Sequence, residues 1–142
     1  IFESYKKAPF YSKVNTILEE TFFSGEQFLS EIAKASVILT SQYLGISINF
    51  VQSSSIYKNS FIKGQDRILD ICLNEGAEEY WNLPGGKELY SKDKFNQNKI
   101  ALNFVEPKLR SYPQFSKTFN SGLSVIDVMM HNSPDDIKEM LK

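Results

Sequence analysis

The residue pattern predicts an α/β fold: a small three-stranded parallel sheet with flanking helices and a helical C-terminal appendage. Three observations carry it. Stretches with apolar residues at helical spacing alternate with short runs of β-branched and aromatic residues. Glycine or proline closes most of these stretches where a helix or strand should stop, and serine, or serine followed by proline, opens several of the helices. The chain reads as a single α/β domain: a helical lead-in over 1–23, an alternating core over 24–107, and an irregular segment plus two helices over 108–142.

Ile1-Phe2-Glu3-Ser4-Tyr5-Lys6-Lys7-Ala8 reads as the last turns of a helix stopped by Pro9. Ser12 opens a second helix, with Val14, Ile17, Leu18 and Phe22 at helical spacing. The clearest helix is predicted over 24–44. Ser24 and Gln27 form its capping box, Phe28, Ile32, Ala35, Leu39 and Tyr43 its apolar stripe, and Gly45 its left-handed cap. Ile46-Ser47-Ile48-Asn49-Phe50-Val51 reads as the first strand, 53–64 as a polar loop, and 65–75 as a helix ended by Gly76. Residues 78–82 form a second strand, with Tyr80 and Trp81 packed on the core. After the turn Leu83-Pro84-Gly85-Gly86, Ser91 caps a helix over 92–97, and 100–105 form the third strand, stopped at Pro107. Residues 123–130 make a short apolar helix. Ser133-Pro134-Asp135-Asp136 starts the last one, with a cap, a proline at the first position and acids at the positive dipole end. The alternation argues for βαβ units with right-handed crossovers.

Composition narrows the function. The 142 residues suit one domain able to bury about 70% of its unfolded surface without a disulfide or metal. Hydrophobic residues are 42% and charged residues 23%, which argues against disorder. Sixteen basic against 17 acidic residues leave a net charge of −1, without the electrostatic footprint of a nucleic-acid binder. No apolar run is long enough to span a bilayer. The single Cys72 excludes an intrachain disulfide, fits a reducing, cytoplasmic compartment, and reads as a small core residue. One Cys and one His do not make a structural zinc site, and neither metal nor cofactor is expected.

In open α/β sheets ligands sit beyond the C-terminal ends of the strands, here the loops 52–64, 83–87 and 106–112. The candidate ligand-binding residues are Lys63, Gly64, Arg67, Gly85, Gly86, Lys87 and Tyr112. In Pro84-Gly85-Gly86-Lys87 the paired glycines let backbone N–H groups approach a phosphate or carboxylate, and Lys87 adds a point charge. Glu88 follows the lysine, so this is not a Walker A loop, and a plain turn with a solvated lysine accounts for the same residues. Arg67 either clamps an anion bidentately or pairs with Asp66 or Asp70. Asp127 lies three residues after Ser124. It is either a capping-box partner or the candidate catalytic residue, a general base or ammonium-binding carboxylate. His131, the only histidine, reads as a cap or partly buried side chain rather than a catalyst.

Several pieces recur in a telling order: Tyr43-Leu44-Gly45-Ile46, Lys63-Gly64 with Arg67-Ile68-Leu69-Asp70-Ile71-Cys72, and Gly76-Ala77, then Pro84-Gly85-Gly86-Lys87-Glu88-Leu89-Tyr90, Tyr112-Pro113-Gln114, and Leu123-Ser124-Val125-Ile126-Asp127. Over the C-terminal two-thirds of the chain this resembles the WbqC-like family of bacterial surface-polysaccharide (O-antigen) clusters. The resemblance implies transfer of an amino acid such as glycine to a nucleotide-linked amino sugar. The Gly-Gly-Lys loop and Arg67 would hold a diphosphate or carboxylate, and Asp127 would accept a proton from the attacking amine. The partner is then a nucleotide-linked sugar or another small anionic ligand. The alternative is a non-catalytic module that binds a small anion or a protein.

The family's N-terminal Gln-Pro-aromatic-Pro segment and following Gly-Tyr do not occur, so the chain reads as the C-terminal part of a longer protein. Such a piece would expose a sheet edge and apolar surface. It is expected to form a homo-oligomer, by edge pairing or by swapping its N-terminal helices. Light scattering at high concentration should find species larger than the monomer; monomer alone would contradict this.

Overall fold

Two compact units organise the chain in this computed structural model, which describes residues 1–23, 25 and 28–142. One unit joins Ile1–Asn49 to Leu109–Lys142, and the other is Phe50–Lys108.

The first unit is helical. It contains α1 (Phe2–Tyr5), α2 (Tyr11–Phe22), α3 (Leu29–Tyr43), then, after the other unit, α6 (Val125–His131) and α7 (Pro134–Met140). The helical spacing of the apolar residues in α2 and α6 decides its core: Val14, Leu44, Met129, Met130, Ile137 and Ala8 are buried together. The backbone N–H of Phe10 donates to the Met130 carbonyl at 3.2 Å, which ties the α1–α2 turn to the end of α6. The Ser133 start of α7 forms a complete capping box with Asp136 and carries Pro134 in its first turn, as the sequence predicts.

The second unit holds α4 (Gly64–Asn74), β1 (Glu79–Asn82), α5 (Lys92–Gln97) and β2 (Ala101–Phe104). The two strands pair in parallel, Glu79 opposite Ala101 through Asn82 opposite Phe104. A parallel pair needs a crossover, and the 83–100 connection supplies it with α5 inside. Leu69, Cys72, Phe95, Ile100 and Leu102 form the core. Tyr80 lies on the core face, stacked on Phe95 with ring centroids 5.6 Å apart.

Both glycine stops expected of the sequence operate. Gly45 and Gly76 take positive φ values of 61° and 64°. Beyond α3 the Ile46 N–H bonds to the Ser41 carbonyl and Gly45 to Gln42. Beyond α4 Ala77 bonds to Cys72 and Gly76 to Leu73. Each set is a Schellman closure, which only a residue at ease with left-handed φ completes cheaply.

The α/β class holds, but the sheet among the described residues has two strands and not three. Residues 46–51, expected as the first strand, form none. They straddle the passage from one unit to the other at Asn49–Phe50 and have no ladder partner among the described residues, so their β-propensity goes unused. Trp81 is also not a core residue. Burial alternates along β1, and a sheet covered on one face leaves Trp81 56% exposed, its indole N–H donating to Glu79. The predicted helix over 24–44 is described only as α3, and its Ser24–Gln27 capping box lies outside the described residues.

The turn after β1 gives a paired test. A Cβ on Gly86 would sit 2.5 Å from the Asn82 side-chain nitrogen, whereas one on Gly85 meets nothing within 4 Å. The Asn82 side chain also accepts from the Leu83 N–H at 2.8 Å. Gly86→Ala should therefore cost about 1–2 kcal/mol, while Gly85→Ala should stay within about 0.5 kcal/mol of wild type. Urea denaturation of both variants checks this, and equal effects would contradict it.

Candidate functional site

Asp127 is placed by the first turn of α6. Ser124 caps that helix, its hydroxyl accepting the Ile126 N–H at 3.3 Å. The Asp127 side chain does not close a capping box. It is 7% exposed and is turned to other partners. Oδ1 accepts the Tyr5 hydroxyl at 2.8 Å. Oδ2 accepts the Tyr112 hydroxyl at 2.7 Å and the Gln114 amide at 3.1 Å. Three donors thus fill most of the roughly four acceptor directions of a carboxylate.

One turn later, His131 shares the Asp127 face of α6. Its Nδ1 lies 2.9 Å from the Asp127 backbone carbonyl and 3.7 Å from Oδ1. A carbonyl only accepts, so Nδ1 carries a proton, and of the two neutral tautomers this selects the one with its lone pair on Nε2. Phe115, Tyr5 and Tyr112 surround the imidazole, at centroid distances of 4.8, 5.9 and 6.4 Å.

Burial pushes the Tyr5 phenol up to about 12, helped by its hydrogen bond to Asp127 and by the Asp127 charge. Burial raises the Tyr112 phenol too. Its bond to Asp127 adds to that shift, and one with Gln114 opposes it. Both phenols therefore stay protonated at neutral pH and donate to the carboxylate. The arrangement is a fixed negative centre walled by aromatic rings, able to orient a cationic or N–H donor group.

Tyr112 and Asp127 are thus brought together in the helical unit. The other candidates, Lys63, Gly64, Arg67, Gly85, Gly86 and Lys87, belong to the unit Phe50–Lys108. There Lys63 is the residue before α4, and Gly64 opens that helix with a φ of 59°. Arg67 pairs with neither Asp66 nor Asp70. Its Nε donates to the Asn59 carbonyl and its NH2 to the Ser54 hydroxyl, both at 3.1 Å. The Asn59 amide in turn donates to Asp70 at 2.7 Å, and Asp66 pairs with Lys94. Gly85 and Gly86 lie in a short 3₁₀ turn, Pro84–Gly86, and Lys87 follows it, 3.1 Å from Glu106. Among the described residues, no group of three or more His, Cys, Asp or Glu is gathered to hold a metal. No helix among them is long and apolar enough to cross a membrane.

A model of the WbqC-like protein family matches residues 1–139. The chain belongs to the WbqC-like family. The match takes in the N-terminal helices and is not confined to the C-terminal part on which the sequence resemblance rests. No curated protein and no solved structure matches the chain.

Sequence reasoning on this WbqC-like chain singled out Asp127 and Tyr112 but missed Tyr5, Gln114 and the placement of His131. Gln114 stands in the Tyr112-Pro113-Gln114 block, and His131 is one helical turn from Asp127, so both were within reach of spacing. Tyr5 sits at the far end of the chain and carried no local signal.

The raised phenols set a pH dependence. A tyrosine whose folded value exceeds the ordinary 10 stabilises the fold fully below pH 10 and loses that contribution as pH climbs toward about 12. Stability should fall over that window. Tyr5→Phe should flatten the fall and cost about 1.5–3 kcal/mol at neutral pH, the worth of a hydrogen bond to a charged group. Tyr80, raised to about 12 chiefly by burial, keeps its own share of the slope in that variant. Tyrosinate absorbance followed with circular dichroism checks this; an unchanged slope in Tyr5→Phe would contradict it.

Proposed function

We propose that this chain acts in the cytoplasm in bacterial surface-polysaccharide (O-antigen) biosynthesis. In this reading it transfers an amino acid such as glycine, supplied as an activated aminoacyl donor, to a nucleotide-linked amino sugar: the sugar amine attacks the acyl carbon, the amide C–N bond forms, and the bond to the donor's carrier breaks as the carrier leaves. Family membership supports the polysaccharide setting. The observation that carries the chemistry is the buried Asp127 carboxylate, fixed by Tyr5, Tyr112 and Gln114. Asp127 is the proposed acceptor of the proton that the amine loses on attack, and Tyr112 the residue that meets the ligand beside it. Lys63, Gly64, Arg67, Gly85, Gly86 and Lys87 are the proposed anion-binding residues, for the diphosphate or a carboxylate.

A second reading, a non-catalytic module binding a small anion or a protein, has its own support. The Asp127 carboxylate already accepts from Tyr5, Tyr112 and Gln114, and Lys87 faces Glu106.

Calorimetry with nucleotide-linked amino sugars, joined to a transfer assay, separates the two. In the transferase reading the ligand binds, and Arg67→Ala or Lys87→Ala weakens binding by about tenfold, the effect of one charge-assisted contact. Asp127→Asn then lowers transfer by about 100-fold or more, as loss of a general base does. Binding without transfer in wild type favours the module. No binding overturns the transferase reading.

A further inference from the structure

His131 offers a hydrogen-bond acceptor that the chain itself does not use. Its side chain is 5% exposed, and Nε2 is buried with no hydrogen-bond partner among the described residues. The tautomer is fixed from the other side of the ring, because Nδ1 donates to the Asp127 carbonyl at 2.9 Å. In that tautomer Nε2 carries the lone pair. The nearby donors are already committed: the Tyr5 and Tyr112 hydroxyls and the Gln114 amide point to Asp127, and the Gln114 amide also reaches the Asn120 carbonyl. An unpaired buried acceptor is costly to keep, and natural structures retain few of them without a use.

The wall beside it includes one ring that is largely exposed. Phe115 lies edge-on to the imidazole at 4.8 Å, yet it is 56% exposed and sits in the irregular segment between β2 and α6. Of the three rings around the imidazole it is the nearest, and it belongs to no helix or strand. Behind the ring stand the Asp127 carboxylate and two tyrosine rings, surroundings that favour a cationic or N–H donor over an anion.

We infer that His131 Nε2 is a ligand-binding acceptor of the Asp127 site, covered by Phe115, which takes an N–H of the amino group on an incoming amino sugar. The ligand class rests on the transferase reading above; the poised acceptor rests on the geometry alone.

His131 is the chain's only histidine, so a ring-labelled sample gives one imidazole. Nitrogen NMR of the full chain should show Nδ1 protonated and Nε2 bare at neutral pH. Adding a uridine-diphosphate-linked 2-amino sugar should move the Nε2 signal toward its hydrogen-bonded position. His131→Phe, which keeps a ring in place, should weaken calorimetric binding by about tenfold. Phe115→Ala should speed acylation of the imidazole by diethyl pyrocarbonate several-fold. A protonated Nε2 in the free protein overturns the inference, and so does an acylation rate unchanged in Phe115→Ala. Calorimetric binding with an unmoved Nε2 signal overturns it and leaves the transferase reading standing. A bare Nε2 with no binding of the sugar overturns both.

Discussion

The helical unit depends on one buried charge. Asp127 is 5% exposed, and a carboxylate that far from water must be matched by donors. The chain answers with three donors from two places: Tyr5 in α1, and Tyr112 and Gln114 in the irregular segment before α6. Each contact adds to the packing that holds its piece in position. α1 is only four residues long, too short to be stable as an isolated helix, and the segment around Tyr112 has no ladder or helix of its own. Asp127 thus ties α1 and the segment around Tyr112 to α6 through hydrogen bonds from side chains far apart in the chain.

The other unit is built on apolar packing. Phe95 is fully buried, and Tyr80 and Tyr90 lie against it at 5.6 and 6.1 Å. Two short parallel strands have little independent stability, and they persist because α4 and α5 supply Leu69, Cys72 and Phe95 to cover one face. The uncovered face explains the exposure of Trp81. Burial raises the Cys72 thiol above its ordinary value, as befits a packing residue rather than a nucleophile.

What could be read from the sequence was local. Gly45 and Gly76 announced two helix ends, Ser133-Pro134 a helix start, and Ser91 the bounds of α5, because each of these depends on residues a turn apart. What failed depended on partners. Residues 46–51 have strand-forming side chains, but a strand exists only where another pairs with it, and the passage between units offers none. The same limit governs the site. Asp127 three residues after Ser124 reads first as a capping-box partner, and the donors that reach its carboxylate from Tyr5, Tyr112 and Gln114 decide against it. Tyr112 was legible as a loop residue beyond the last strand, but not its hydroxyl's aim at Asp127.

The cations of the Phe50–Lys108 unit differ in what they have left to give. Lys87 faces Glu106 across an exposed pair, a contact that solvent screens and a ligand can displace at little cost. Arg67 is held more firmly, because the buried Asn59 side chain stands between it and Asp70 and satisfies both, its carbonyl facing the guanidinium and its amide the carboxylate. A direct pair would neutralise the guanidinium. The interposed amide orients it and leaves most of its charge uncompensated, with Nε and NH2 each making one bond and the remaining N–H groups free of protein partners among the described residues. An arginine positioned by a neutral group in this way retains the capacity to meet an anion, which a salt-bridged one would have spent.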